Sequence, residues 1–274
     1  MQLEGKVAIV TGGGGGIGAA IATALVAQGA RVVLTDLDER SVTAAAAEIE
    51  STTPGSVASI AGDAASSAHI EAAIDLAESR FGPVDLYFAN AGIGGAPGLL
   101  ASDEDWAKVV EVNVMGHVRA ARRLVPEWVE RGGGYFIATA SAAGLLTQIG
   151  SATYSVTKHA AVGFAEWLDV TYGDQGVRVS CLCPMGVDTK LLRPDDAPAD
   201  DDALLMQRAV ETAGRVLTTA EAADTVIEAL GDERFLILPH PEVLDMYRQK
   251  GADYDRWIRG MRRYQQSLKQ EPAS

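Results

Sequence analysis

Cysteine is scarce in this chain of 274 residues: Cys181 and Cys183 are the only two. A pair one residue apart makes neither a disulfide framework nor a four-ligand zinc set, so both read as reduced core thiols. The four histidines are scattered, and no metal site is expected. No apolar run approaches the roughly 20 residues that a bilayer-spanning helix needs. Positive charge is short as well: 23 Lys and Arg against 37 Asp and Glu give a formal net charge of −14. That balance, with no basic stripe to offset it, argues against nucleic acid or an anionic membrane surface as partner. The opening MQLEGKVAIVT has no positively charged leader, and the expectation is a cytoplasmic protein.

What is abundant is apolar residues, at 47%, enough for a large core in one α/β unit. Strand-like runs begin near residues 6, 31, 57, 84, 134, 178 and 235, with stretches between them long enough for crossover helices. This alternation predicts an α/β fold with a doubly wound parallel sheet of about seven strands in three layers, α/β/α. One domain is expected over residues 1–240, and a helical extension over 241–274.

The first strand, KVAIVT, runs into five glycines, Gly12 to Gly16, and then into the alanine-rich helical segment that starts at Ile17. A strand, a glycine turn and a helix start let backbone N–H groups and a helix N-terminus hold a pyrophosphate. Two registers fit: Gly13-x-Gly15-x-x-Gly18, or Thr11-Gly12-x-x-x-Gly16-Ile17-Gly18. Spacing alone does not choose. The second strand, RVVLT, is followed at once by Asp36, where such a unit holds the adenosine ribose hydroxyls. A carboxylate there repels a 2′-phosphate, and the glycine loop has no Lys or Arg, so NAD is favoured over NADP. Arg40 is the nearby cation that argues otherwise, and an N-cap is the plain alternative for Asp36.

Tyr154 and Lys158 stand four apart in SATYSVTKHAAVGFAEWL, which on a helix places phenol and ammonium on one face. A free phenol titrates near ~10. One ammonium at about 4 Å, in an effective dielectric of about 20, supplies roughly the 4 kcal/mol needed to bring it to neutrality.

With these motifs in this order, residues 3 to 240 resemble the short-chain dehydrogenase/reductase family in its compact single-domain, Rossmann-fold form. TGGGGGIG is similar to the family's T-G-x-x-x-G-x-G loop, which selects the register of Gly12, Gly16, Ile17 and Gly18. The resemblance implies that Asp63 meets the adenine amino group and that Asn90, Ala91 and Gly92 line the adenine ribose side. It implies that Asn113 steadies a proton-relay water and that Ser141, thirteen positions before Tyr154, donates to the substrate oxygen. Tyr154 is then the general acid/base, while Lys158 lowers its pKa and holds the nicotinamide ribose. Pro184 and Thr189 match the segment beside the nicotinamide, where Thr189 would meet the carboxamide. Met185 departs from the family pattern, filling the place of a glycine.

Residues 190–216 sit where the family has its substrate lid. Residues 190–210 are expected to be mobile without substrate and to close over it through Leu204, Leu205 and Met206. Tyr254, Trp257, Ile258, Met261 and Tyr264 recur at helical spacing in the tail. Such a stripe packs on its own core or on a neighbouring subunit, and the family's habit of forming tetramers or dimers favours the neighbour. The reading as a whole is an NAD-dependent alcohol dehydrogenase or carbonyl reductase acting on a small or medium apolar secondary alcohol or ketone. Its alternatives are a non-catalytic NAD-binding redox sensor and a non-redox reaction of the same superfamily such as epimerisation.

Overall fold

The computed structural model describes residues 1–96, 98–193 and 201–270. Seven strands form one parallel sheet: β1 (Val7–Thr11), β2 (Arg31–Asp36), β3 (Val57–Ala61), β4 (Leu86–Ala89), β5 (Gly134–Thr139), β6 (Val177–Leu182) and β7 (Leu236–Ile237). All seven begin within two residues of the positions read from sequence. Their order is β3-β2-β1-β4-β5-β6-β7. The chain therefore winds outward from β1 in one direction and then, from β4, in the other. The crevice between β1 and β4 at their carboxyl ends is where such sheets take ligands.

Burial on both faces explains why the strands read as unbroken apolar runs. Along β1, Val7 and Ile9 enter one core with Tyr87 and Phe136, while Ala8 and Val10 enter the other with Leu34 and Phe88. Helices α1 (Gly16–Ala27) and α2 (Glu39–Thr52) supply the second core. Helices α3 (Ser67–Arg80), α4 (Asp103–Val110), α5 (Gly116–Glu130) and α6 (Ala152–Tyr172) follow, with α3, α5 and α6 packed into the first core. Local chemistry fixes several of their starts. Ser102 and Asp105 form a reciprocal cap at α4, and Ser151 caps α6 by accepting from the Tyr154 amide at 3.2 Å.

Past β6 come α7 (Asp201–Ala213), α8 (Thr219–Asp232), α9 (Glu242–Ala252) and α10 (Tyr254–Gln270). Helix α8 returns to the sheet beside α1, and its start is a capping box of Thr218 with Glu221. The anticipated lid is in part the helix α7, while residues 194–200 lie outside the described residues. No helix of the described residues is long and apolar enough to cross a membrane.

Candidate active site

Gly12 and Gly16 have left-handed φ of +64° and +55°, a conformation that a side chain resists. Gly18 is glycine for space: a Cβ there would stand 2.2 Å from the Gly12 carbonyl oxygen. Geometry thus supports the register of Gly12, Gly16 and Gly18. The turn leads into α1, whose N-cap Gly15 supplies no side chain and whose first turn has no acidic residue. Its leading amides and the positive end of its dipole are left for an external anion. The glycine cradle fits a dinucleotide pyrophosphate.

Asp36 ends β2 beside this turn, where its Oδ2 accepts from the Gly14 amide at 3.0 Å. The N-cap of α2 is Asp38, which accepts from the Arg40 amide at 3.0 Å and from Ser41 Oγ at 2.7 Å. The capping alternative for Asp36 is thereby filled by its neighbour. Asp36, Asp38 and Ser41 line one end of the cavity, whereas Arg40 does not. Asp63 is exposed at the end of β3, outside that lining, with Oδ1 accepting from the Ala65 amide at 2.8 Å.

Asn90 acts as a clasp at the switch point. Its amide donates to the Thr11 carbonyl at 2.9 Å, its Oδ1 accepts from Thr139 Oγ1 at 3.1 Å, and Thr11 Oγ1 accepts from the Asn90 and Ala91 backbone amides at 2.9 Å each. Three adjacent strand ends are so joined. Thr139 escaped the sequence reading because a strand-end threonine has no local signature, and its partner lies 49 residues away.

Asn113 is fully buried in a π-helical turn, Glu111–Met115, between α4 and α5. Such turns recur at functional sites because the extra residue re-aims a side chain. Its Oδ1 accepts from the Ile93 amide at 2.8 Å, and its Nδ2 donates to the Ile93 carbonyl at 2.9 Å and to Thr157 Oγ1 at 3.1 Å. Gly92 is next to this pair: a Cβ on it would stand 3.2 Å from Lys158 Nζ and 3.3 Å from Asn113 Oδ1.

Ser141 follows β5 and caps the short 3-10 turn Ala142–Gly144, accepting from the Ala143 amide at 3.1 Å. Its Oγ donates to the Pro184 carbonyl at 3.4 Å. Ser141 pulls the Tyr154 phenol's pKa down, but burial outweighs that pull and holds the phenol above its ordinary value. The Lys158 ammonium donates to the Thr139 carbonyl at 3.0 Å and stands 5.5 Å from the centre of the Tyr154 ring. Burial brings the Lys158 pKa down to about 8. His117, one turn past Asn113, is also buried, with both ring nitrogens unpaired, and burial with the nearby Lys158 charge lowers its pKa to about 3. Nothing in the sequence marked it, since its neighbours come from other elements.

A single cavity of ≈ 970 Å³ joins these parts, with Gly12, Gly16, Ile17, Asn90, Ala91 and Gly92 along one stretch and Ser141, Tyr154, Lys158, Pro184 and Thr189 along the next. Gly18 and Asn113 lie behind the lining rather than on it. Thr189 closes on the glycine turn, its methyl 3.3 Å from where a Cβ of Gly16 would be. The Pro184 carbonyl accepts from the Ala142 amide at 2.8 Å. Met185 lines the cavity with its tip against Gly214, and its amide donates to His240 Nδ1 at 3.2 Å.

The far wall comes from α7, α9 and α10. Of the three lid residues expected, Met206 lines the cavity, whereas Leu205 is buried with Ile149 and Leu268 in a separate cluster and Leu204 is half-buried outside the lining. The reason is helical period: Met206, Ala209, Val210 and Ala213 share the inward face. Trp257, Met261 and Tyr264 face this chain's own cavity, and only Tyr254 and Ile258 of the stripe are exposed. Tyr264 Oη is fixed by donating to the Ala209 carbonyl at 2.9 Å.

Residues 6–199 match the model of the short chain dehydrogenase family. Momilactone A synthase of Oryza sativa subsp. japonica is 33% identical over 86% of this chain and 87% of its own. The 1-deoxy-11-beta-hydroxypentalenate dehydrogenase of Streptomyces avermitilis is 33% identical over 88% and 87%. Among solved structures, a short chain dehydrogenase/reductase from Burkholderia phymatum in complex with NAD superposes with a TM-score of 0.84 at 32% identity, covering 93% of this chain and 96% of that one. Sequence and structure thus agree with the cleft's construction, and the chain belongs to the short chain dehydrogenase family of oxidoreductases.

Proposed function

We propose that this protein interconverts an apolar secondary alcohol and its ketone with NAD as cofactor. The observation that carries this reading is that Ser141, Tyr154 and Lys158 line the same cavity as the glycine turn. A site that only bound a dinucleotide would have no use for Ser141 and Tyr154 there. When bound, the nicotinamide supplies hydride transfer, the step no side chain performs. Gly12, Gly16 and the start of α1 hold the pyrophosphate, and Asp36 with Asp38 holds the adenosine ribose hydroxyls and repels a 2′-phosphate. Ala91, Gly92, Pro184 and Thr189 border the rest of the cofactor, and Asp63 stands on the adenine side.

Ser141 donates to the substrate oxygen, and Tyr154 takes the alcohol proton in oxidation or returns it in reduction. The cationic form of Lys158 predominates at pH 7, because its pKa of about 8 lies above that pH. It would hold the nicotinamide ribose, and its charge, 5.5 Å from the centre of the Tyr154 ring, favours the phenol's loss of its proton. Asn113 fixes the Ile93 main chain next to Lys158 and steadies the water through which that proton leaves. Beyond Ser141, the wall of Leu146, Ile149, Met206 and Met261 favours an apolar substrate. Val156, Trp167 and Val170 are exposed on α6 and suit a face covered by a second copy, in keeping with a dimer or tetramer.

A panel of secondary alcohols and ketones, followed at the nicotinamide absorbance with NAD and with NADP, tests the reading. One NADH formed per alcohol oxidised is the expected result. Cofactor binding with no turnover across the panel in either direction would leave the redox-sensor alternative in its place.

A further inference from the structure

Lys250, in the last turn of α9, is 6% exposed. Its ammonium donates to the Leu145 carbonyl at 2.7 Å and to the Leu146 carbonyl at 3.1 Å, and stands 5.4 Å from the centre of the Tyr254 ring. Two main-chain oxygens and a π face hold it, not a carboxylate. Burying an ammonium is costly unless hydrogen bonds replace its water, so the contact is retained only where the geometry is favourable. Its carbonyl partners are more than one hundred positions earlier in the chain.

Those carbonyls belong to the segment that leaves Ser141. Ser141 caps the 3-10 turn Ala142–Gly144, Leu145 and Leu146 follow, and Leu146 through Ile149 line the cavity. Within that segment Thr147 has φ of +152°, a region that a β-branched residue avoids and that persists only where the surroundings hold it. Lys250 grips the chain just before Thr147. Gln148 grips it just after, its amide donating to Ser155 Oγ at 2.9 Å and its side chain to the Met206 carbonyl at 3.3 Å. On the other side, the helix that carries Lys250 also brings Met246 and Gln249 to the cavity, and α10 brings Trp257 and Met261. Four of the chain's six methionines, Met185, Met206, Met246 and Met261, line this one cavity. Thioethers are soft, adaptable and favourable against rings.

We propose that Lys250 is a positioning residue that ties the C-terminal wall to the Ser141 loop, so that the cavity selects bulky ring-bearing secondary alcohols over small ones. The inference rests on the alcohol reading above. A small alcohol needs only Ser141 and Tyr154, whereas a bulky one also touches Met206, Met261 and Trp257 and so depends on the spacing that Lys250 sets.

Two variants of the full chain test it, Lys250→Met, which keeps the length and removes the donors, and Lys250→Arg, which keeps them. Hydrogen exchange with NADH bound should show Lys250→Met exchanging at least tenfold faster than the unaltered protein at the amides of residues 143–150, with the β1, β4 and β5 amides keeping their protection. In steady-state kinetics, kcat/KM for 2-decalol should fall at least tenfold more than for 2-propanol, mostly in KM, and Lys250→Arg should restore most of the ratio. Unchanged exchange around Thr147, or an equal loss on both alcohols, would overturn the proposal. If the unaltered enzyme oxidised neither alcohol, the fault would lie in the alcohol reading, and the exchange experiment would still decide whether Lys250 makes the tie.

Discussion

At the scale of single residues, cofactor choice comes down to one strand end. Asp36 and Asp38 line the end of the cavity beside the glycine turn, and Arg40 is not part of that lining. The unaltered enzyme should prefer NAD over NADP by at least about tenfold in kcat/KM, a difference of ~1.4 kcal/mol. Asp36→Ala should narrow that gap chiefly by weakening NAD, read from cofactor KM values; an NADP preference in the unaltered enzyme would refute the assignment. Ser141→Ala should cost about 10²-fold in turnover, as for loss of one donor to a developing oxyanion, with cofactor affinity kept. His117 supplies a pH prediction. Its folded pKa of about 3 lies below the ordinary 6.5, so the unfolded chain binds the extra proton between those values. Stability is therefore lost as pH falls from 6.5 towards 3. By pH 5 the loss is about 2 kcal/mol, and urea titrations at pH 7 and pH 5 should show it in the parent protein but not in His117→Leu.

At the scale of elements, the glycine turn, the strand starts and the Tyr154–Lys158 helix were legible because each is set by residues near in sequence. The glycine register was open from spacing, since both patterns fit TGGGGGIG. The left-handed φ of Gly12 and Gly16, which Gly13 and Gly15 do not share, favours one. Gly18→Ala should force α1 off the Gly12 carbonyl, costing about 1–3 kcal/mol as overpacking does and weakening NADH binding in the same protein. A melting temperature and NADH affinity equal to the parent's would contradict this. Elements past β6 were less legible. Their helical stripes were visible, but which face points inward depends on partners from α7 and the Ser141 loop, so spacing alone does not show that Met206 lines the cavity and Leu205 does not, or that Trp257, Met261 and Tyr264 border it. Truncation after Ala252 removes Trp257, Met261 and Tyr264 from the cavity. It should raise KM for a bulky alcohol several-fold while leaving the oligomer seen by light scattering intact, the reverse of a tail that serves assembly.

At the scale of the whole molecule, the strand order brings the ends of β1, β2, β4, β5 and β6 to one edge of the sheet, so motifs spread from Gly12 to Thr189 meet in one cleft. This convergence could be anticipated from the alternation of strands and helices. What could not was the balance at Tyr154, since burial raises its pKa and Lys158 is engaged by the Thr139 carbonyl. The central claim is that Tyr154 moves the substrate proton. Tyr154→Phe leaves the ring and removes only the hydroxyl. NADH affinity by fluorescence titration and turnover on the best alcohol of the panel, measured on the same preparation, test the claim together. The account predicts NADH affinity within about threefold of the parent and turnover reduced by roughly 10²-fold or more, the range expected for a positioned acid–base group. A folded, NADH-binding Tyr154→Phe enzyme with undiminished turnover would contradict it.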